Sequence, residues 1–224
     1  METYRSDSKS LETGPPTPAE TGRFEVNGHD LHWERYGSEN GRPILLLHHG
    51  LGSIRAWNRQ IGPLVEAGWN VLAYDRRGYG HSDPRPEFQD RFLDQDTQEA
   101  LQLLESLDLN QVDILGHSDG GTIALMLAAE HPNRVGRLVV VAAHVYIEPK
   151  MEKGLGEIGT TLESAAFIQA LARQHGQKAE AQAHAWVDHW YRMGKEGLEI
   201  RPMLPKVACP TLVIQGELDE HATP

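Results

Sequence analysis

The chain has 224 residues, of which 39% are hydrophobic and 24% charged, so it is long enough to bury one substantial core and is unlike a disordered protein. Its formal net charge of −11 argues against a nucleic-acid partner and against electrostatic binding to an acidic membrane surface. No apolar segment approaches the ~20 residues of a membrane span or resembles a signal peptide, so we expect a cytoplasmic protein, and nothing in the composition indicates its oligomeric state.

The N-terminal part of the chain predicts a leader followed by a hairpin. Residues 1–22 are rich in Ser, Thr, Pro and Glu, and we expect them to be disordered. Residues 23–37 read RFEVNGHDLHWERYG, in which Asn27 and Gly28 supply the two positive-φ positions of a tight turn. This stretch therefore predicts a β-hairpin.

A regular alternation of apolar runs and amphipathic stretches follows the hairpin. Continuous apolarity indicates strands buried on both faces, and helices between consecutive strands indicate parallel crossovers. We therefore predict an open, mostly parallel α/β sheet with helices on both faces, built from residues 23–143 and from a last strand and loop at 206–224. The predicted strands are 43–49, 70–75, 112–116, 137–143 and 211–216, and the predicted helices are about 54–67, 91–107 and 119–131.

The alternation lapses between residues 144 and 205, where helical text replaces it. We predict a helical cap inserted over the carboxyl edge of the sheet, where substrates of such folds bind. Trp186 and Trp190 are four residues apart on one face of this text. Core packing is the more frequent role for such a pair, and lining of an apolar pocket is the alternative. Cys209, the single cysteine, precedes the last strand and is expected to be a small buried hydrophobe.

The strongest chemical signal is the stretch Gly116-His117-Ser118-Asp119-Gly120-Gly121, which follows an apolar strand and opens a helix. That context is the one a G-x-S-x-G nucleophile elbow requires, because the flanking glycines let the backbone turn sharply and hold the serine on a strained corner. We expect the side chain of His117 to point away from the corner on which Ser118 projects.

A second signal is His49-Gly50-Leu51-Gly52 at the end of a predicted strand. A tetrahedral oxyanion needs two N–H donors, and an elbow serine takes one from the following residue and one from such a loop. The sequence therefore predicts the backbone N–H groups of Asp119 and Leu51 as the oxyanion hole. The neighbouring pair of His48 and His49 is set aside as a metal site, since adjacent residues on a strand point to opposite faces.

These motifs resemble the α/β-hydrolase family over residues 23–224. Asp75-Arg76-Arg77-Gly78-Tyr79-Gly80-His81-Ser82 is similar to the D-x-R-G-x-G-x-S turn of that family, and Gly216-Glu217-Leu218-Asp219 to the position of its catalytic acid. The Ser-Asp-Gly-Gly elbow and the strand CPTLVIQGELD resemble the biphenyl-hydrolase-like, or valacyclovir hydrolase, branch most. The resemblance implies a serine esterase of small substrates, with Ser118 as the nucleophile, Asp219 as the acid that orients a histidine, and no cofactor or metal.

Candidate substrate contacts are Asp119, His49, Trp186 and Trp190. Asp119 has two interpretations. An acidic residue in the first turn of a helix is stabilised by the unpaired N–H groups and the dipole there, which alone accounts for it. The resemblance adds the other: a carboxylate that pairs with a cationic amine of the substrate, as in amino-acid esters.

The family order is serine, acid and then histidine, and the sequence as given contains no residue after Pro224. Judged by the resemblance, the sheet would lack its last strand and helix, and the serine its base, so we expect a truncated and catalytically impaired hydrolase. His221, two residues beyond Asp219, is a weak substitute, because acid and base so close in sequence have difficulty reaching the serine together. Carbon–carbon bond hydrolysis of dienoates and a non-catalytic, hydrolase-like binding protein remain the alternatives.

Overall fold

The computed structural model describes residues 16–219 and residue 223, without the side chains of residues 194–196. These residues contain seven strands: β1 (Glu20–Val26), β2 (His29–Tyr36), β3 (Arg42–Leu47), β4 (Trp69–Tyr74), β5 (Val112–His117), β6 (Val135–Val141) and β7 (Thr211–Ile214). They form one sheet in the order β1-β2-β4-β3-β5-β6-β7. The pairs β1–β2 and β2–β4 are antiparallel and the other neighbours are parallel, as the continuous apolar runs predict.

Helices cover both faces of the sheet. They are α1 (Asn58–Glu66), α2 (Phe92–Ser106), α3 (Asp119–Glu130), α4 (Pro149–Leu162), α5 (Ala165–His175) and α6 (Ala179–Glu196). In β3, Ile44 and Leu46 pack with Ile61 of α1 on one face, whereas Leu45 and Leu47 belong to the larger cluster that includes α2 and α3 on the other. The alternation of side chains along a strand explains this division. The predicted α/β class is confirmed.

The N-terminal hairpin forms around the predicted turn, with φ of 50° at Asn27 and 79° at Gly28. Its first strand begins at Glu20, before the predicted start of the ordered chain at residue 23. The extension is held by the pairing of Glu20 with Arg35, whose side chains also form an ion pair of 3.0 Å. Of the predicted leader, residues 1–15 lie outside the described part of the chain.

Helices α4, α5 and α6 occupy the predicted cap, residues 144–205, which we call the cap segment. They contact the loops that follow β3, β4 and β5, which places them over the carboxyl edge of the sheet. The sequence patterns indicated α5 and α6 but not α4, which contains Gly154, Gly156 and Gly159 and so has weak helix propensity. The division of the chain into a core, residues 23–143 and 206–224, and a cap inserted into it, residues 144–205, stays a prediction. None of the described helices is both long and apolar enough to cross a bilayer.

The last strand, β7, differs from the other parallel strands in exposure. Leu212, Val213 and Ile214 are 56%, 67% and 45% exposed. The strand is the last of the sheet and pairs with β6, and the described residues leave its side chains largely uncovered. Its apolar run thus predicts the strand but not its burial. Cys209, expected to be buried, is half-buried.

Candidate active site

Ser118 stands between β5 and α3 in a conformation unusual for a residue with a side chain. Its φ is 53° and its ψ −121°. Its N–H donates to the carbonyl of Val141 at 2.9 Å, which ties the corner to β6. A Cβ on Gly116 would lie 2.3 Å from the carbonyl oxygen of Gly120, and a Cβ on Gly120 would lie 2.1 Å from that of Leu47. The sharp corner therefore depends on both glycines, as the elbow pattern requires.

Ser118 opens into a cavity of about 130 Å³ between the sheet edge and the cap segment. The cap contributes apolar side chains from α4 and α6, and the core contributes polar groups. The cavity is lined by His117, Ser118, Asp119, Ala142, His144, Met151, Leu155, Ile158, Trp186, Trp190 and Asp219.

Asp219 lies on the turn that follows β7 and faces the same cavity as Ser118. Its N–H donates to the carbonyl of Gly216 at 3.2 Å, and its Oδ2 accepts the side-chain N–H of Gln215 at 2.9 Å. The Lys150 ammonium donates to its backbone carbonyl. The sheet thus brings together the predicted nucleophile and the predicted acid, which are a hundred residues apart in the chain.

The loop from His49 to Gly52 is held by hydrogen bonds on its carbonyls. The carbonyl of His49 accepts from the Arg76 guanidinium at 3.2 Å and from Nδ1 of His48 at 2.8 Å. The carbonyl of Leu51 accepts from Nε2 of His175 at 3.1 Å. Gly50 lies directly under the Trp186 ring, whose Cζ2 would be 2.3 Å from a Cβ at that position. The predicted donor, the N–H of Leu51, is therefore carried by a loop whose flanking groups are fixed.

Asp119 is fully buried at the start of α3. Its Oδ2 accepts from Nε1 of Trp186 at 2.9 Å and lies 3.5 Å from the Arg76 guanidinium. Its Oδ1 is also buried and has no hydrogen-bond partner among the described residues. Asp119 is thus a lining residue of the cavity that the cap holds through one carboxylate oxygen, while the other oxygen is buried and unsatisfied.

Behind Asp119 lies a buried charge cluster that sequence reasoning did not identify. Asp96 of α2 pairs with Arg76 at 2.7 Å and also with Arg85. Burial disfavours the charge of Arg76, but Asp96 and Asp119 overcome this effect and raise the pKa of its guanidinium above the ordinary value. Two cations and two anions balance in this cluster, as burial of charge requires. The sequence drew attention to Arg76 only as part of the Asp-Arg-Arg-Gly turn and gave no sign of its partners Asp96 and Asp119.

Two histidines lie close to Ser118. His117 is among the residues that line the cavity, beside Ser118 and Asp219. Burial lowers the pKa of His117, although Asp119 and Asp219 act in the opposite direction. The His49 ring meets that of His117 edge to face at 5.2 Å but is not among the groups that line the cavity. Burial, with the His117 ring and Arg76, lowers the pKa of His49 to about 4. His221 lies outside the described residues.

Trp186 and Trp190, for which core packing and pocket lining were both open, do both. They are 7% and 1% exposed, and both line the cavity. Met151, Leu155 and Ile158 also line the cavity. All three belong to α4, a helix that the sequence patterns did not indicate, so they were not predicted as lining residues.

Comparison with known proteins agrees with this geometry. Residues 43–156 match the family model described as alpha/beta hydrolase fold. The chain is 33% identical to serine hydrolase BPHL of Mus musculus and 31% identical to that of Homo sapiens, each over 211 residues that cover 91% of this chain and 72% of the relative. Among solved structures, the enol-lactonase from Burkholderia xenovorans LB400 superposes with a TM-score of 0.70 at 25% identity, covering 91% of this chain and 84% of the lactonase. The chain therefore belongs to the α/β-hydrolase fold family and is a hydrolase of that family.

Proposed function

We propose that the protein is a serine hydrolase that cleaves small carboxylic esters through an acyl-enzyme on Ser118. The observation that carries the proposal is the strained corner at Ser118, which faces a small cavity that Asp219 shares. The relatives named serine hydrolase support the same assignment. In this reaction the serine Oγ attacks the ester carbonyl, its proton passes to a histidine base and then to the departing alcohol, and water releases the acid.

The proposed oxyanion donors are the N–H groups of Leu51 and Asp119. Asp119 begins α3, so its N–H is one of the first four of the helix and has no partner within it. The loop that contains Leu51 follows β3, and β3 pairs with β5, the strand that Ser118 follows. Donors of this kind stabilise the negative charge that develops on the carbonyl oxygen, and loss of one typically lowers kcat by roughly 10²- to 10³-fold.

The proposed triad also needs a histidine within hydrogen-bond reach of Ser118. His117 lines the cavity, but no hydrogen bond joins it to Ser118 in the described part of the chain. A fluorophosphonate probe distinguishes an activated serine from a hydrolase-like binding protein. We expect covalent labelling that disappears in Ser118→Ala, and folded protein without labelling would favour the binding protein. Turnover of a dienoate but not of p-nitrophenyl esters would favour carbon–carbon bond hydrolysis.

We further propose that Asp119 binds a cationic amine of the substrate. Its Oδ1 supports this assignment, since a buried carboxylate oxygen without a partner is unfavourable and an ammonium group would satisfy it. Asp119→Asn keeps the acceptor for Trp186 and removes the charge. The lost charge also unbalances the cluster that contains Arg76 and so affects both esters. We therefore expect kcat/KM for an α-amino ester to fall by about tenfold or more relative to that for the matched ester without the amine. Equal losses on the two esters would reject amine recognition.

A further inference from the structure

A buried histidine of the cap segment, His175, contacts the loop from His49 to Gly52, which we call the oxyanion loop. His175 is the last residue of α5 and is 5% exposed. Its Nδ1 accepts from the N–H of Gly80 at 2.8 Å, and its Nε2 lies 3.1 Å from the carbonyl oxygen of Leu51. Since Nδ1 acts as an acceptor, the ring proton is on Nε2, which donates to Leu51. The neutral imidazole thus uses both nitrogens to join the loops after β3 and β4.

We propose that His175 is a positioning residue, which holds the oxyanion loop through Leu51 and so connects the cap segment to the orientation of the Leu51 N–H. The inference rests on the proposed function, in which that N–H is an oxyanion donor. The Leu51 N–H belongs to the peptide of Gly50, and the carbonyls on either side of this peptide are both anchored. Arg76 and His48 hold the carbonyl of His49, and His175 holds that of Leu51.

The other end of the His175 bridge is rigid. Gly80 has a φ of 47°, and a Cβ there would lie 2.0 Å from the carboxyl group of Asp75. The Asp75 carboxylate in turn accepts the N–H groups of Ile54 and His81 at 2.8 and 2.9 Å. The imidazole therefore connects the glycine-containing oxyanion loop to a fixed turn of the core. A small displacement of a reacting or stabilising group lowers the rate steeply, by roughly 10²-fold for 1 Å.

Lys178, close to His175 in the chain, attaches the same stretch of the cap segment to the loop after β4 and makes no contact with the Leu51 peptide. It donates to the carbonyl of Gly80 at 2.8 Å and to that of Ser82. This contact supplies a matched control, because its loss weakens the attachment of the cap segment but leaves the carbonyl of Leu51 held.

The charge state of His175 agrees with this role. Burial lowers its pKa and Lys178 acts in the same direction, whereas the carbonyl of Leu51 and the carboxylate of Asp75 oppose the shift. The Tyr79 ring packs edge to face against the imidazole at 5.8 Å, and His48 and His49 lie on the side of the oxyanion loop. A proton on Nδ1 would face the N–H of Gly80 and break the bridge, so the neutral form is the one that holds the loop.

Two substitutions separate the two hydrogen bonds. His175→Gln places an amide N–H near the position of Nε2 and keeps the donor to Leu51, whereas His175→Asn reaches only the position of Nδ1 and keeps the acceptor for Gly80. With p-nitrophenyl butyrate as substrate, we expect His175→Asn to lower kcat by about 10- to 100-fold with KM changed by less than about threefold. His175→Gln should retain most of kcat, and Lys178→Met should lose stability while kcat stays within about twofold.

Hydrogen exchange of the amides in residues 49–53 gives a second measurement that does not depend on turnover. Exchange there should rise in His175→Asn and stay near that of the unmodified protein in His175→Gln and Lys178→Met. If the unmodified protein neither turns over esters nor reacts with the fluorophosphonate, the proposed function fails and the exchange data alone decide whether His175 holds the loop. Equal exchange in all three variants, or equal kcat in His175→Asn and His175→Gln, overturns the inference.

Discussion

At the scale of single residues, Ser118 is held where a Cβ is unfavourable, at a φ of 53°. Such backbone strain is typically worth of order 1–3 kcal/mol, and a residue without a Cβ relieves it. We therefore expect Ser118→Gly to be more stable than Ser118→Ala by about 1 kcal/mol, measured by urea denaturation. At Ser106, the last residue of helix α2, the order should reverse, because Gly is a weaker helix former than Ala. The same order at both positions would show that the corner stores no strain.

Ser118 was predictable because its signal is local: strand, glycine, serine, glycine and helix are consecutive in the sequence. The contacts around Asp119 were not, since Arg76 is 43 residues before it and Trp186 is 67 residues after it. A first-turn acid has an adequate local explanation, and only the assembled structure adds its two partners.

At the scale of elements, α3 approaches β3 more closely than a side chain would permit. A Cβ at Gly120 would lie 2.1 Å from the carbonyl oxygen of Leu47 and 2.7 Å from that of His48, which are backbone atoms. We expect Gly120→Ala to lower the free energy of unfolding by about 2 kcal/mol or more, because the helix must move away from the strand.

Gly62 provides the matched control for this substitution. It lies inside α1, and a Cβ added there would have no other atom of the described residues within 4 Å beyond its own helix and chain neighbours. Gly62→Ala should raise the free energy of unfolding by about 0.5–1 kcal/mol, because Ala is the better helix former. Chemical denaturation of both variants measures the difference, and a stabilised Gly120→Ala would contradict the close packing of α3 on β3.

The elements themselves followed well from the sequence where the signal was continuous. Strands β3 to β6 and helices α2 and α3 lie within about three residues of their predicted bounds, because buried parallel strands need unbroken apolar runs. Helix α4 was not indicated, since its three glycines weaken the pattern while packing against α6 stabilises it. The apolar run of β7 predicted a strand correctly, but exposure depends on its place in the sheet and not on its own residues.

At the scale of the whole molecule, one buried carboxyl group links stability to pH. Glu99 of α2 lies 3.0 Å from His29 of β2, and both are nearly fully buried. Burial first, and then the nearby Asp96, raise the pKa of Glu99 from 4.5 to about 7. The folded protein therefore keeps a proton that the unfolded chain loses. The contribution of Glu99 to stability is full below pH 4.5 and is lost as the pH rises to about 7.

Glu99→Gln keeps the shape of the side chain and removes its titration. We expect the difference in Tm between Glu99→Gln and the unmodified protein to be more favourable to the variant at about pH 8 than at about pH 5. A difference independent of pH would mean that Glu99 is ionised in the folded protein.

Trp186 has a consequence for how the protein selects its substrates. The ring that forms a wall of the cavity also lies on Gly50 and donates to Asp119, so it touches the loop and the helix start that carry both proposed oxyanion donors. In the proposed reaction, an acyl group too bulky for the cavity would displace this ring and with it the two proposed donors. We therefore expect size discrimination to appear as slow turnover as well as weak binding, and a smaller side chain at Trp186 to widen the substrate range at the expense of rate.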